Sequence, residues 1–461
     1  MGAPKHVNSF KKISKLILAA LLSSGNTVRD HRLSETAPIS TIDRFHNGNR
    51  APHGLGVNRD ASSFDYKTIL NGPEIGTALR GLEKEYGVQV TNPPHESNWK
   101  QKSYVGFLPL DNSTGRNTTR SYSVFLTAGV QGRERGGPDS LIYFIGDLLW
   151  ANKHNEDLAY GNHVYTVEQV RRVLSLGIVV FPLVNPDGHA WDQRWHNCWG
   201  KNLNVEYRPK DKSIHGIGVN VDRNYNFTWD YRHAYSELAG DVASDNPEHE
   251  LFHGCDPLSE AESRNVAWVI ETHPRIRWFL DVHTKGRLVT HAWTNAAPQT
   301  TNAAMSFRNA SYDGMRGDPA VGYGEYIRAK DLDVYQDIST SVAAQMANVS
   351  GTPFHYVDTL RKEGKTFLGA SGSAIDWAYS RHTVNEMTSK VYSFKLKLGA
   401  SEEETAVIAE KGGCPYYPSG EQYYRSLKEA AVGYMTFLLN AAKHQAIEAK
   451  EKGVKSDWHI I

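Results

Sequence analysis

The sequence predicts an α/β fold in one large domain, with a mixed central β-sheet and helices on both faces. From about residue 65, apolar runs of β-type residues alternate with amphipathic helical patterns, which favours a sheet covered on both sides. The chain has 461 residues, 40% of them hydrophobic, enough for one well-filled core. No internal repeat or long low-complexity tract interrupts the pattern. We therefore assign residues 65–449 to one domain and residues 450–461 to a C-terminal tail.

The spacing of apolar residues assigns the individual elements. The strand candidates are short apolar runs at Ser121–Thr127, Leu176–Leu183, Arg277–Val282 and Val391–Leu398. The helix candidates carry apolar residues on one face, at Ser140–Lys153, Thr166–Leu174, Ser259–Thr272, Gln336–Met346 and Tyr423–Ala449. In α/β sheets the active groups lie in loops at the strand ends, so we expect the functional residues there.

The N-terminal region has the pattern of a secretory signal peptide. Basic residues up to Lys15 precede a short apolar run, Leu16–Leu22, and then small residues. We assign residues 1–25 to this signal, with a disordered basic tail as the alternative, and residues 26–64 to a polar extension. Five Asn-x-Ser/Thr sequons also favour a secreted glycoprotein; they are at Asn112, Asn117, Asn226, Asn309 and Asn348.

The charge balance and the cysteine count restrict the class of binding partner and the cellular compartment. Lys plus Arg and Asp plus Glu number 51 each, so no net field favours nucleic acid or an anionic membrane. The N-terminal apolar run is too short to span a bilayer. We expect a monomer. Of three cysteines, Cys198 and Cys255 flank one loop-rich section, which makes them the expected disulfide pair of a secreted chain, with Cys414 left over.

Several segments occur in a fixed order along the domain. They are Gly129–Glu134, Val184–Gly188, Cys198–Asn202, Gly218–Tyr225, Trp278–His283, Ala370–Trp377 and Val391–Leu398. This series resembles the carboxypeptidase A-like zinc metallocarboxypeptidases. The resemblance implies a zinc ion with three protein ligands and an open position for water. It also implies a glutamate that acts as general base, an arginine that stabilises the oxyanion, and an Asn-Arg pair that, with a tyrosine, holds the substrate's terminal carboxylate.

The implied metal site is altered. Gln131 stands where the first ligand histidine is expected, while Glu134 and His283 keep the second and third ligand positions. An amide oxygen is a weak zinc ligand beside imidazole. Two good ligands rarely make a tight site, so we expect zinc binding to be weak or absent.

The implied substrate positions are altered as well. Gly200 stands at the place of the oxyanion arginine, with Lys201 beside it as a candidate substitute. Asp222-Arg223 replaces the Asn-Arg pair, and Arg223 can pair internally with Asp222. Other positions that the resemblance implies are Arg133 in the substrate groove, Leu368 at the mobile tyrosine and Ile375 at the pocket floor, where an apolar residue suits apolar or aromatic end groups.

Lys397 stands at the position of the catalytic glutamate. Strand alternation places Ser393, Lys395 and Lys397 on the face toward the cleft. An ammonium group cannot accept a proton, and it repels a metal ion. We expect Lys397 to form a partly buried ion pair with Glu134 in place of zinc; the alternative is an exposed strand lysine.

Three functions remain open from the sequence. The first, which the resemblance implies, is a secreted carboxypeptidase-like protein that is inactive or strongly impaired as a peptidase and keeps a cleft for a peptide or small-molecule ligand. The second is an active zinc carboxypeptidase with atypical ligands that removes apolar C-terminal residues. The third is non-hydrolytic chemistry that uses Lys397 as base or nucleophile.

Overall fold

A computed structural model describes residues 36–57, 66–110, 122–208, 214–296, 299–356 and 369–453. The strands are β1 (Gln89–Thr91), β2 (Val105–Phe107), β3 (Val124–Ala128), β4 (Leu158–Tyr160), β5 (His163–Tyr165), β6 (Ile178–Phe181), β7 (Trp278–Thr284), β8 (Leu288–His291), β9 (Gln299–Thr300), β10 (Glu325–Tyr326), β11 (His355–Tyr356) and β12 (Tyr392–Leu398). The α-helices are Gly72–Tyr86, Gly137–His154, Val167–Leu174, Pro186–Trp195, Tyr231–Ala234, Ala261–Thr272, Ala329–Ser350, Ala374–Val384, Glu402–Glu410 and Gly420–Glu451.

The centre of the fold is an eight-stranded mixed sheet in the order β1-β2-β6-β3-β7-β12-β8-β11, with helices packed on both faces. Strands β6, β3, β7 and β12 run parallel to one another. They are the four strands that the apolar runs predicted, and all four of these predictions are confirmed. Their side chains are almost entirely buried, as is typical of parallel strands with helices on each side. Because they are parallel, their carboxyl ends meet at one edge of the sheet.

The described part of the fold begins at Thr36, inside the segment assigned from sequence to a polar extension. Phe45 is fully buried in the main core, and Arg44 pairs with the buried Glu74 at 2.8 Å. The sequence did not indicate this burial, because charged residues that pair inside the core have the same composition as those of a solvated segment. The predicted signal peptide and residues 454–461 lie outside the described residues.

The disulfide bond joins Cys198 to Cys414, so the predicted Cys198–Cys255 pair is wrong. Cys255 is exposed and free. Beside the bond, the Tyr417 hydroxyl accepts a hydrogen bond from the Cys198 amide and donates one to Asp192. These contacts hold the segment at Cys414 against the loop at Cys198. The two cysteines are 216 residues apart, so the sequence did not indicate that they lie close together. Among the described helices, none combines the length and apolarity needed to cross a membrane.

Candidate functional site

The motif segments meet at the carboxyl edge of the parallel strands. Val282 on β7 lies beside Ala128 at the end of β3, and His283 lies beside Lys397 on β12. The Gln131–Glu134 turn follows β3 directly. At Gly132 a Cβ atom would lie 2.3 Å from the carbonyl of Gly188, so only glycine permits this approach of two motif loops. The sheet therefore assembles the predicted site from distant parts of the chain.

His283 is held between two carboxylates. Its Nδ1 lies 2.9 Å from Glu134 Oε2, and its Nε2 lies 2.9 Å from Asp281 Oδ2. Thr127 donates to the other oxygen of Asp281 at 2.7 Å, and all four side chains are buried. Burial opposes the charged imidazole, but Glu134 and Asp281 outweigh it and raise the pKa of His283 to about 9. Both ring nitrogens therefore act as donors to carboxylates.

Lys395 supplies the buried cation of the cleft. Its Nζ lies 2.5 Å from Asp222 Oδ2, and both side chains are almost fully buried. Arg223 donates from Nη1 to the Asp222 carbonyl at 2.8 Å and to the carboxylate at 3.3 Å, so of the two roles left open for Arg223 the structure shows the internal pair. Burial disfavours an ionised Asp222, but Lys395, His283 and Arg223 outweigh it and hold its pKa below the usual range.

The predicted ion pair between Lys397 and Glu134 is wrong. Among the described residues, Lys397 has no ion-pair partner, since Glu134 pairs with His283 and Asp222 with Lys395. The Lys397 side chain is half-buried at the cleft. Burial, and then the neighbouring Lys395, lower the pKa of Lys397 to about 8. Strand alternation placed both lysines toward the cleft, but Glu134, the predicted partner of Lys397, pairs with His283, and Asp222 pairs with Lys395.

Arg133 and Gln131 are engaged with each other. Arg133 Nη2 donates to the Gln131 side-chain oxygen at 3.1 Å and pairs with Glu250 at 2.8 Å. The guanidinium also lies 4.1 Å from the ring centroid of Tyr416, a cation–π contact. Sequence reasoning missed Glu250 and Tyr416, because neither lies in a recognised segment. The Gln131 oxygen therefore accepts from Arg133 instead of facing Glu134 and His283 as a free ligand.

The place of the oxyanion arginine is filled by other groups. A Cβ atom at Gly200 would lie 2.4 Å from Glu250 Oε1 and 3.0 Å from Arg133 Cζ. Lys201, the candidate substitute, is buried and donates from Nζ to the carbonyls of His215 at 2.8 Å and Pro247 at 2.6 Å. The expectation that Lys201 replaces the arginine is therefore not met.

The expected pocket floor is part of the core. Ile375 is fully buried, and its carbonyl accepts a hydrogen bond from Ser393 at 2.6 Å. The next residue, Asp376, accepts from both the amide and the hydroxyl of Thr294. Leu368 lies outside the described residues. Ile375 is thus one of the buried residues of the main hydrophobic cluster.

One group of described residues could hold a metal ion. Asp222, Asp281 and His283 offer ligand atoms that lie within 4.8 Å of one another. Two carboxylates and an imidazole are a donor set that zinc accepts. Here, however, Lys395 pairs with Asp222 and both His283 nitrogens donate to carboxylates, so a metal ion has to displace a lysine and a proton. As arranged, neither this group nor the set of Gln131, Glu134 and His283 fits zinc.

Comparison with known proteins identifies similar chains. Carboxypeptidase A4 of Mus musculus is 25% identical over 281 residues, and carboxypeptidase A1 of Sus scrofa is 26% identical over 341 residues. These matches cover 61% and 74% of this chain but only 52% and 65% of the two relatives, so the chain spans about half to two thirds of their length.

Solved structures share the fold at low identity. Carboxypeptidase A from Helicoverpa armigera has a TM-score of 0.57 at 16% identity. The match covers 95% of this chain and 82% of the Helicoverpa armigera chain. Thrombin activatable fibrinolysis inhibitor has a TM-score of 0.58 at 14% identity, and the match covers 82% of this chain and 75% of the inhibitor chain. A family model described as zinc carboxypeptidase matches residues 63–416. Because that match spans most of the chain and its motifs meet at one edge of the sheet, this chain belongs to the zinc carboxypeptidase family.

Proposed function

We propose that this protein is a carboxypeptidase-like binding protein with little or no peptidase turnover. The observation that carries the proposal is the buried ion pair between Lys395 and Asp222, which places a protein cation among the cleft carboxylates. Zinc is the metal of the family, and in this chain Lys395 takes over its task of balancing charge. Removing such a lysine leaves a buried carboxylate uncompensated, so the pair is costly to break.

The other catalytic roles of the family lack suitable groups here. Gln131 is a weak ligand, and its oxygen is bound by Arg133. Gly200 has no side chain to stabilise an oxyanion, and Lys397, with a pKa of about 8, is mostly an ammonium group at neutral pH and therefore a poor replacement for the carboxylate base. Each loss alone costs rate, and together they remove ligand, base and oxyanion donor. This supports a cleft kept for binding instead of hydrolysis.

The cleft keeps groups that suit a carboxylate-bearing ligand, such as a peptide end. Among the described residues, Lys397 has no ion-pair partner, and Arg223 donates from Nε and Nη1 to backbone carbonyls while its Nη2 has no hydrogen-bond partner. A carboxylate between them gains charge-assisted hydrogen bonds. One family structure, of bovine thrombin-activatable fibrinolysis inhibitor, is a complex with tick carboxypeptidase inhibitor. By analogy, we infer a peptide or small-molecule ligand for this cleft.

Secretion is part of the same proposal. The predicted signal at residues 1–25, the sequons and the Cys198–Cys414 disulfide all suit an oxidising compartment. Expression of the full chain in a eukaryotic secretory host tests this. We expect glycosylated protein in the medium, with glycan at exposed sites such as Asn226 and Asn348. Retention of unglycosylated protein inside the cell would contradict it.

A second candidate function rests on the Asp222, Asp281 and His283 group. If a metal ion displaces Lys395, these ligands form a site shifted from the family positions, and a hydrolase with atypical ligands results. The expelled Lys395 then has to find another partner in the cleft. This candidate predicts tight zinc binding by the wild-type protein.

Metal analysis combined with an activity assay separates the two candidates. The full protein is purified without chelators, its zinc content is measured by mass spectrometry, and cleavage of a blocked dipeptide ending in phenylalanine is followed. We expect substoichiometric zinc and no turnover above a no-enzyme control, even after zinc is added. Stoichiometric zinc together with turnover that chelators abolish would overturn the binding-protein proposal and establish the second candidate.

A further inference from the structure

A second pocket lies outside the cleft, beside the segments Trp229–Arg232 and Phe252–Cys255. Its volume is about 300 Å³, and Trp229, Tyr231, Phe252 and His253 form its walls. Trp229 stacks on the His253 ring at 4.2 Å, and Tyr231 meets the same ring edge-on at 5.3 Å. Aromatic walls of this kind suit a ligand with an apolar body or a cationic group.

His253 is a buried wall residue that holds a carboxylate at this pocket. The side chain is only 3% exposed, and its Nε2 lies 2.7 Å from Asp245 Oδ1. A carboxylate only accepts, so Nε2 donates; burial also lowers the pKa of His253 and favours the neutral ring. Its Nδ1 is itself buried, so the group that a ligand can reach here is the partly exposed carboxylate of Asp245.

The surroundings of the pocket are acidic. Asp230 and Asp245 line it against a single guanidinium, that of Arg232. The thiol of Cys255, which also lines it, has a raised pKa because of partial burial and the nearby Asp256, Glu206, Glu260 and Asp245. These carboxylates give the pocket a negative potential, which attracts cations.

The contact of Arg232 shows that the rim of the pocket can hold a guanidinium group. Its guanidinium pairs with Asp245, although 72% of the Arg232 side chain is exposed. An exposed pair of this kind contributes little stability, so a ligand can share or replace it. The carboxylate of Asp245 therefore bridges a buried imidazole donor and an exchangeable cation.

We propose that this pocket binds an organic cation of the guanidinium or ammonium class. The N–H groups of the ligand pair with Asp245, and its apolar body lies against Trp229 and Tyr231. This site is separate from the cleft, and its occupation does not depend on whether the cleft binds zinc or hydrolyses peptides.

The free thiol makes the proposal testable in the intact protein. Cys255 is the single cysteine outside the disulfide, so neutral iodoacetamide reports on this pocket alone. The alkylation rate is measured by mass spectrometry with Nα-acetyl-arginine amide (the arginine amide) as the probe, and with Nα-acetyl-citrulline amide (the citrulline amide), in which an uncharged ureido group replaces the guanidinium group. Calorimetry with the same two probes detects binding that leaves the thiol accessible.

We expect saturable binding of arginine amide and none of citrulline amide. Asp245→Asn should weaken binding by about tenfold or more, since a charge-assisted hydrogen bond is lost. Arg232→Gln should strengthen it several-fold by removing the competing cation, while Asp241→Asn, an exposed control, should leave it unchanged. Equal binding of both amides, an unaltered affinity in Asp245→Asn, or no binding at millimolar arginine amide would overturn the proposal.

Discussion

Lys395 Nζ lies 2.5 Å from Asp222 Oδ2, and the two residues are 173 positions apart in the chain. On the neighbouring strand β7, Asp281 is the register partner of Lys395, and it holds His283 at 2.9 Å. The cleft thus contains two adjoining pairs of opposite charge where the family places a metal ion. Charge balance without a metal requires both pairs, so disturbing either should be measurable.

Replacing Lys395 with methionine should destabilise the protein strongly. The change leaves Asp222 buried beside only the weaker Arg223 contact, and breaking one partner of a buried pair costs about 3–5 kcal/mol. Urea denaturation followed by circular dichroism measures the loss. Lys397→Met is the matched control and should cost much less, since Lys397 has no ion-pair partner among the described residues. Equal losses in the two variants would contradict the assignment of the buried cation to Lys395.

The same substitution should create affinity for zinc. Without the ammonium group, Asp222, Asp281 and His283 can turn toward a common ion. We expect Lys395→Met to bind zinc more than about tenfold more tightly than the wild type, since a change of ~1.4 kcal/mol suffices for this factor. Calorimetry in a buffer of low zinc affinity provides the measurement. An additional His283→Ala change should abolish the gain, and a gain that survives it would place the metal elsewhere.

Only part of this charge arrangement in the cleft could be predicted from the sequence. Alternation along Val391–Leu398 placed Lys395 and Lys397 on the cleft face, and the ordered motifs predicted the parallel strands that carry the site. The choice between the two lysines could not be predicted. They lie two residues apart on one face, about 7 Å along the strand, and the loop that holds Asp222 decides which one it reaches.

Two other features were hidden for a related reason. Cys414 meets Cys198 beside the hydrogen bond of Tyr417 to Asp192, and this tertiary contact has no local signal in the sequence. Arg44 and Glu74 bury their charges together, although each residue by itself indicates a solvated position. Local periodicity therefore predicts elements well, whereas the pairing of buried polar groups depends on tertiary contacts.

The Cys198–Cys414 disulfide should contribute to stability. It links positions 216 residues apart, and loss of a native disulfide typically costs about 2–5 kcal/mol. Thermal unfolding of the Cys198→Ser/Cys414→Ser variant should show a lowered midpoint. Cys255→Ser is the control and should unfold like the wild type. A non-reducing peptide map that joins Cys198 to Cys255 would contradict the pairing itself.

Restoring the two most conspicuous family residues should not restore peptidase activity. In Gln131→His/Lys397→Glu, Lys395 still pairs with Asp222 and Gly200 still lacks an oxyanion donor. Loss of one such donor alone lowers kcat by about 10²–10³-fold. Cleavage of the blocked phenylalanine dipeptide should stay at background, even if zinc analysis shows improved metal content. Turnover that depends on zinc in this double variant would mean that the remaining changes are tolerated.

Stability should fall as the pH rises, in part because of Glu262. Burial, and then the neighbouring Glu260, raise the pKa of this carboxyl to about 8, and its side chain accepts a hydrogen bond from Asn202. The folded pKa is above the ordinary value of 4.5, so the contribution to stability is complete below pH 4.5 and is lost as the pH rises toward 8. Each pH unit in this window costs about 1.4 kcal/mol from this group.

The Glu262→Gln variant tests this, because glutamine does not ionise and keeps an oxygen for Asn202. Between pH 5 and pH 8, the free energy of unfolding of this variant should decline less steeply than that of the wild type, by ~1.4 kcal/mol per pH unit. Urea denaturation across this range provides the measurement, with the exposed Glu83→Gln as control. If both variants keep the wild-type slope, Glu262 ionises normally in the folded protein and the carboxyl pair with Glu260 is not a source of strain.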